Sequence, residues 1–382
     1  MNSLANTTYL DHHATTPLCA ASREAIHAAL TTELGNPSSI HGSGQAARHA
    51  IERARAQVAR AVGCPARSVV FTSGATEANA LAWRAMALTS GDVVVTSAIE
   101  HVAVEFLAQS ADARGCQVTR LPVDDAGHLR LQVLPERWAW ASVIMVSNEL
   151  GLVLPVEAIA ARCKEVGALF HTDATQALGK VELTSCEADL ISLSAHKIGG
   201  PAGVGALIVR DGVDLPPIWR GHQERGLRGG TENLLGVIGF GAACEQVPGR
   251  LAEMDRVRQL RDQLAAEVAA LPFETYRHLA AVPPERESGT CLSVAFPGLD
   301  ASDLVMALDI EGVAISAGSA CSSGTLQPSE VIRHISRHLP DPEGTARGTV
   351  RITLGPESHR GDVEHLISAL RVTLPRLLPP TH

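Results

Sequence analysis

SLSAHKIGGPAGVGALIVR, Ser192 to Arg210, reads as two strands around a reactive turn. The apolar run Ala188 to Leu193 predicts one strand and Val204 to Val209 a second, while the glycines between them break regular structure. Lys197 stands in that turn. Apolar strands on either side would desolvate its amine and lower its pKa, the state in which an amine attacks a carbonyl and holds it as a Schiff base. Ser194 and His196, three residues and one residue earlier, can donate hydrogen bonds to an anion. The segment alone equally fits a solvated lysine at a strand end, so the surrounding chain has to decide.

Upstream, the pattern alternates. SVVFT from Ser68 reads as a strand, SGATEANALAWRAMA as a loop entering a helix, VVVTS as a strand and HVAVEFLAQSADARG as a helix; QVTRLPV, ASVIMVS and ALFHTD are further strands, with a helix over Val156 to Val166 before the last. Repeated βα units predict a mostly parallel sheet covered by helices on both faces. In such sheets ligand chemistry gathers beyond the carboxyl ends of the strands, which places Thr72 to Thr76, Ser97 to His101, Ser147-Asn148, Asp173 to Gln176 and Ser194 to Lys197 at one edge. Gly74 permits a tight turn into the helix, and Ala75 and Thr76 offer N–H groups and a hydroxyl to a phosphate at its positive end; an ordinary capped helix would look the same. Asp173 ends an apolar strand, so its carboxylate is expected to be half buried and to need a cationic partner.

Before this region the chain reads as a short extended entry (Thr8 to Leu10), a helix over Ala20 to Leu30, the loop GNPSSIHGSGQAAR, and a helix over Gln45 to Val62. GSGQAA from Gly42 matches the dinucleotide-binding spacing, but the motif requires a strand directly before it and NPSSIH is not one. After Val209 comes GHQERGLRGGTEN, a loop too long and polar to be core, and then a helix over Leu234 to Gln246. The amphipathic run Arg250 to Leu271 reads as a connector into a second, smaller α/β domain containing TCLSVAF, ASDLVMALDIEG, AISAGSACSSG, PSEVIRHI, TVRITLG and DVEHLISALRVTL.

Composition narrows the function. With Lys+Arg 32 against Asp+Glu 41, a net charge of -9, no basic surface dominates, which argues against direct nucleic-acid binding. MNSLANTTYLDHH lacks the pattern of a secretory signal and no run has the length of a membrane span, so a cytoplasmic protein without membrane partners is expected. The 8 cysteines are scattered without a CxxC pair, an argument against a zinc ribbon or a disulfide framework; most are expected to be core thiols. His101 and Glu105 have helical ligand spacing but no third ligand nearby, so no metal is expected.

YLDHHATTP, GNPSSIH, FTSGATEANA, Glu100-His101, NELG from Asn148, HTDATQALGK, LSAHKIGGPAGVGAL, QERGLRGGTEN, SAGSACSSG and VRITLG follow one another in the order found in cysteine desulfurases, which the chain resembles over nearly its whole length. These are pyridoxal 5'-phosphate enzymes of the class V aminotransferase family with fold type I. The resemblance implies a large cofactor-binding domain, 13–253, with a mostly parallel sheet between helices, and a smaller α/β domain built from 1–12 and 254–382. It implies that Lys197 carries the cofactor, Asp173 faces its ring nitrogen, Gln176 reaches its phenolic oxygen, and His101 stacks on the ring and acts as acid and base. Gly74, Ala75, Thr76, Ser194 and His196 resemble the phosphate cradle, Thr231 would reach the cofactor phosphate of a second subunit in a homodimer, and Asn148 and Arg351 resemble the grip on the substrate carboxylate. Cys321, between Gly318 and Gly324, would take sulfur from L-cysteine as a persulfide and pass it to a protein acceptor, leaving L-alanine. Small polar neighbours make Cys321 a poor core thiol. Selenocysteine lysis or ordinary transamination are the enzymatic alternatives, and a non-catalytic sulfur-relay scaffold the other. His13 and Arg220-Gly221-His222 depart from the family pattern without touching a named role.

Overall fold

The computed structural model describes residues 7–318 and 328–378. Seven strands form one sheet in the spatial order Val69–Thr72, Gly205–Val209, Leu190–Ser194, Leu169–Asp173, Trp140–Ser142, Val93–Ser97, Gln117–Leu121. Every neighbouring pair is parallel except those made by Gly205–Val209, which runs antiparallel to both of its neighbours. Residues 195–204 are too few for the dozen-residue crossover that a parallel return needs, so the chain comes back alongside the strand it has just left. The sheet is thus mostly parallel, as expected.

Period-two burial explains why helices cover both faces. Leu190, Val70, Val94 and Leu207 enter one apolar cluster with Leu81 and Val104 of the helices Ala75–Arg84 and Val102–Ala113. Their neighbours Ile191, Val69, Val95 and Ile208 enter the other, with Val58, Ile159 and Phe240. A strand buried on both faces reads as a largely apolar run; all five residues of Leu190–Ser194 are buried, and of its two serines Ser192 bonds to the His171 ring.

A second sheet orders Ser316–Ala317, Thr349–Thr353, Cys291–Ala295 and Tyr276–Arg277 with antiparallel pairing. It has its own core, in which Val294 and Val350 meet Val257, Leu264, Leu304 and Leu366. The chain's entry, Thr8–Tyr9, pairs with Val313–Ala314 beside this core. The connector expected over Arg250 to Leu271 is two helices, Val247–Ala252 and Met254–Ala269. Val247 belongs to the core of the large sheet, whereas Met254, Val257 and Leu260 belong to the second core, and the helix breaks at the residue between them.

The helix Ala20–Leu30 has its expected bounds, while the next, Gly42–Val62, starts three residues earlier than expected and takes GSGQAA as its first turns. No strand leads into it. A Cβ on Gly44 would lie 2.5 Å from the Ser39 carbonyl oxygen, so that glycine serves close packing of the preceding loop, not a dinucleotide. Of the thiols among the described residues, Cys116, Cys163, Cys186, Cys244 and Cys291 are buried, Cys19 and Cys64 partly so, and all are free. No described helix is long and apolar enough to cross a membrane.

The loop Gly221–Asn233 is less solvated than its polarity suggested. Glu224, buried and at φ 47, accepts two bonds from the Arg55 guanidinium, at 2.7 and 2.8 Å, and one from the Phe71 amide at 2.8 Å. Arg228 pairs with Glu77 at 2.8 Å. These contacts fix the loop to the strand and helix that flank Gly74. Arg55→Met would leave the Glu224 carboxylate buried without its cation, and a loss of about 3–5 kcal/mol in denaturant unfolding is expected; an unchanged midpoint would contradict the clamp.

Candidate active site

The strand ends converge on a cavity of about 430 Å³ whose wall includes Gly74, Ala75, Thr76, His101, Asn148, Asp173, Gln176, Ser194, His196, Lys197 and Arg351. The volume suits a cofactor-sized ligand. Gly74 caps the helix Ala75–Arg84, and the neighbouring strand approaches this turn so closely that a Cβ on Gly205 would lie 2.8 Å from its Cα. The helix N-terminus therefore opens into the cavity with Ser194 and His196 close by. Burial, and then Lys197 and Lys180, push His196 down to about 4, so its ring is neutral near pH 7.

Lys197 ends the short helical turn Ala195–Lys197 directly after the central strand. Its Nζ donates to the carbonyl oxygens of His13 at 2.6 Å and Ala14 at 2.8 Å. The N-terminal segment is itself bound to this turn, since the Thr16 amide donates to the His196 carbonyl at 2.8 Å. Of the chain's three lysines, Lys164 lies on the surface paired with Glu187, and Lys180 is buried.

Asp173 is only 3% exposed, more deeply buried than expected, and its partners are not cationic. Asn79 Nδ2 donates to one carboxylate oxygen at 2.8 Å and the Thr175 amide to the other at 3.0 Å. No cation lies within ion-pair distance of it among the described residues, because two neutral donors take the place expected for one. Glu100, three residues beyond the strand Val93–Ser97, is also buried; its carboxyl group accepts from Ser97 and from the Ile144 amide, and Oε2 has no partner among the described residues. Burial first, and then the charge of Asp173, raise it to about 8, so near neutral pH it keeps its proton. His101 caps the following helix, its Nδ1 accepting from the Ala103 amide at 3.1 Å, which leaves the proton of the neutral ring on Nε2.

At the far end Arg351 is 1% exposed, with Nη2 on Asp11 Oδ1 at 3.0 Å, Nη1 on the Asn148 carbonyl at 3.2 Å and Nε unpartnered. Thr231 is not brought into this cavity; it lines a neighbouring one of about 100 Å³ with Arg228 and Glu224. Cys321 lies outside the described residues. Sequence reasoning missed two participants. His13 lines the cavity, and besides receiving Lys197 its carbonyl accepts from Gln176 Nε2 at 2.9 Å, while its ring nitrogens meet the Asn148 carbonyl at 3.0 Å and Thr290 Oγ1 at 2.9 Å. Lys180 donates to Gln176 Oε1 at 2.8 Å. Backbone acceptors leave no mark in a side-chain pattern, and a lysine four residues after a glutamine resembles any solvated turn.

A buried carboxyl group held by two neutral donors, a helix N-terminus flanked by Ser194, and a lysine amine together fit a phosphorylated, aldehyde-bearing pyridine: the N–H groups would hold the phosphate, Asp173 would face a protonated ring nitrogen, and Lys197 would meet the aldehyde.

The chain as a whole is similar to known proteins. The model of the family Aminotransferase class-V matches residues 8–366. A cysteine desulfurase of Cereibacter sphaeroides is 40% identical over 380 residues, spanning 95% of this chain and 94% of its own length, and one of Dictyoglomus turgidum is 36% identical over 97% and 95%. Among solved structures, a NifS-like protein from Rickettsia africae superposes with a TM-score of 0.84 at 28% identity, over 96% of this chain and 99% of its own. SspA in complex with cysteine does so with a TM-score of 0.77 at 31% identity, over 92% and 99%. Members of this family use pyridoxal phosphate. With a family match across residues 8–366 and full-length relatives at this identity, the chain belongs to the class V aminotransferases.

Proposed function

We propose that this protein is a cysteine desulfurase. L-cysteine and the thiol of Cys321 give L-alanine and a persulfide on Cys321, whose outer sulfur then passes to a protein acceptor. The observation that carries the reading is the convergence of Lys197, Asp173, His101 and Arg351 on one cavity, and the full-length likeness to cysteine desulfurases supports it.

Bound pyridoxal phosphate supplies an electron sink that lets the substrate's Cα give up its proton. The chain's own residues do the rest. Lys197 would anchor the cofactor's aldehyde and would move the Cα proton of the substrate. Asp173, held by Asn79 and the Thr175 amide, keeps a proton on the ring nitrogen. The amides of Ala75 and Thr76 beyond Gly74, with Ser194 and neutral His196, hold the phosphate. Gln176 would offer an N–H to the phenolic oxygen, and His101 would stack on the ring and exchange protons through Nε2. Arg351 and Asn148 grip the substrate carboxylate; the unpartnered Nε of Arg351 is a donor still available to an anion.

The two separate cores, the break at Glu253 and the pairing of Thr8–Tyr9 with Val313–Ala314 support a division into 13–253 and 1–12 plus 254–382. We read the protein as a homodimer in which Thr231 reaches the neighbouring subunit's phosphate; the clamp of Arg228 on Glu77 ties its loop to the phosphate-binding helix and supports this placement.

Cys321→Ser should retain the cofactor and its spectral response to cysteine, yet form neither alanine nor, with a reductant, sulfide. Normal turnover in that variant would contradict the assignment. Glu100 generates a second prediction. Its folded carboxyl titrates at about 8 against 4.5 for an ordinary glutamate, so the unfolded chain gives up that proton first and stability falls as pH rises from about 4.5 through 8. Glu100→Gln keeps the acceptor oxygen and removes the titration, and its gain over wild type in chemical denaturation should be larger at pH 9 than at pH 5; equal differences at both would refute the buried proton.

A further inference from the structure

Lys180 is a buried amine for which the proposed chemistry names no role. Gly179, at φ +72, turns the chain so that Lys180 lies four residues from Gln176 and points back along it. Its surroundings carry like charge. Arg250, Lys197 and Arg351 all act on it, along with the thiol of Cys291, and its own influence reaches His12, His13 and His196; none of these leading effects comes from a carboxylate. Burial first, and then these cations, hold the amine well below the ordinary lysine range. Arginine cannot shed its charge in such a place, and lysine can. In a chain with only three lysines, one occupies this position.

The contact it makes has a direction. The His13 carbonyl can only accept, so the atom of Gln176 that meets it at 2.9 Å is the amide nitrogen, and the oxygen is left facing the Lys180 amine at 2.8 Å. One N–H of Gln176 serves His13, and the second has no partner among the described residues. We propose that Lys180 is a positioning residue: its amine holds the Gln176 carboxamide by the oxygen, so that an N–H, and never the carbonyl, is presented to the phenolic oxygen of the bound cofactor. Without that amine the Gln176 oxygen would be a buried acceptor with no donor, and the carboxamide would turn toward other partners. The proposal rests on the cofactor reading above.

The test uses the whole enzyme reconstituted with pyridoxal phosphate, and its readout is the pH at which the absorbance of the lysine-bound cofactor titrates. A donor on the phenolic oxygen favours the deprotonated form of the Lys197 linkage, so its loss raises that pH. Lys180→Met, similar in volume but without a hydrogen-bond donor, should raise it by about 0.5–1 pH unit, the scale of one hydrogen bond. In a Gln176→Leu background the same substitution should add nothing. A shift of equal size in both backgrounds would show Lys180 acting by charge or through the fold, and would overturn the proposal. So would titration of Lys180→Met at the wild-type pH. If Lys180→Met does not fold, Lys180→Leu replaces it, and failure of both would overturn a positioning role in favour of a structural one. A wild-type chain that takes up no cofactor on a lysine would instead overturn the functional reading, and this proposal with it.

Discussion

The contact on which the rest depends is the one between the Lys197 amine and the backbone carbonyls of His13 and Ala14. It joins the turn after the central strand to a segment near the start of the chain, and that segment belongs by pairing to the other core. Tyr9 pairs with Ala314 and His13 donates its amide to Thr353 Oγ1, while Thr16 bonds to the backbone of His196 and Lys197. Residues 8–16 are therefore strung between the two sheets with the reactive amine at their midpoint. Two neutral backbone acceptors, the carbonyls of His13 and Ala14, aim the amine.

Charge is distributed around that amine by burial as much as by pairing. Three deeply buried carboxyl groups near the cavity, those of Asp173, Glu100 and Glu149, behave differently from one another. Asp173 has two neutral donors, Glu100 is held protonated by burial and by Asp173, and Glu149, buried beside Ser329, Arg351 and His101, is raised to about 7 by loss of water. The opposite holds for the bases: His12, His13 and His196 are lowered by burial and by neighbouring cations. The interior thus contains few ions for the number of titratable groups it encloses, and those it keeps lie where a zwitterionic amino acid and a phosphorylated ring would meet them.

Much of this was legible in the sequence because it follows from periodicity. A strand apolar throughout, a glycine turn and a helix recur often enough to fix the sheet, and the sheet fixes where the strand ends meet; Lys197, Asp173, Gly74 and His101 were located in that way. What escaped depends on partners far apart in sequence. His13 acts through its carbonyl, Lys180 through a glutamine oxygen, and Asp173 gained Asn79 where a cation was expected. The break at Glu253 was hidden for the same reason, since a single amphipathic run gives no sign that its apolar face serves two cores in turn. Glu224 read as loop because its partner, Arg55, lies on a helix far upstream.

The central claim is that Lys197 is the amine that holds the cofactor, and with three lysines in the chain it can be tested by direct labelling. Borohydride reduction of the cofactor-loaded enzyme, followed by proteolysis and peptide mapping, should place the pyridoxyl group on the peptide containing Ser194 to Lys197. A label on Lys180 or Lys164, or no label at all, would contradict the account.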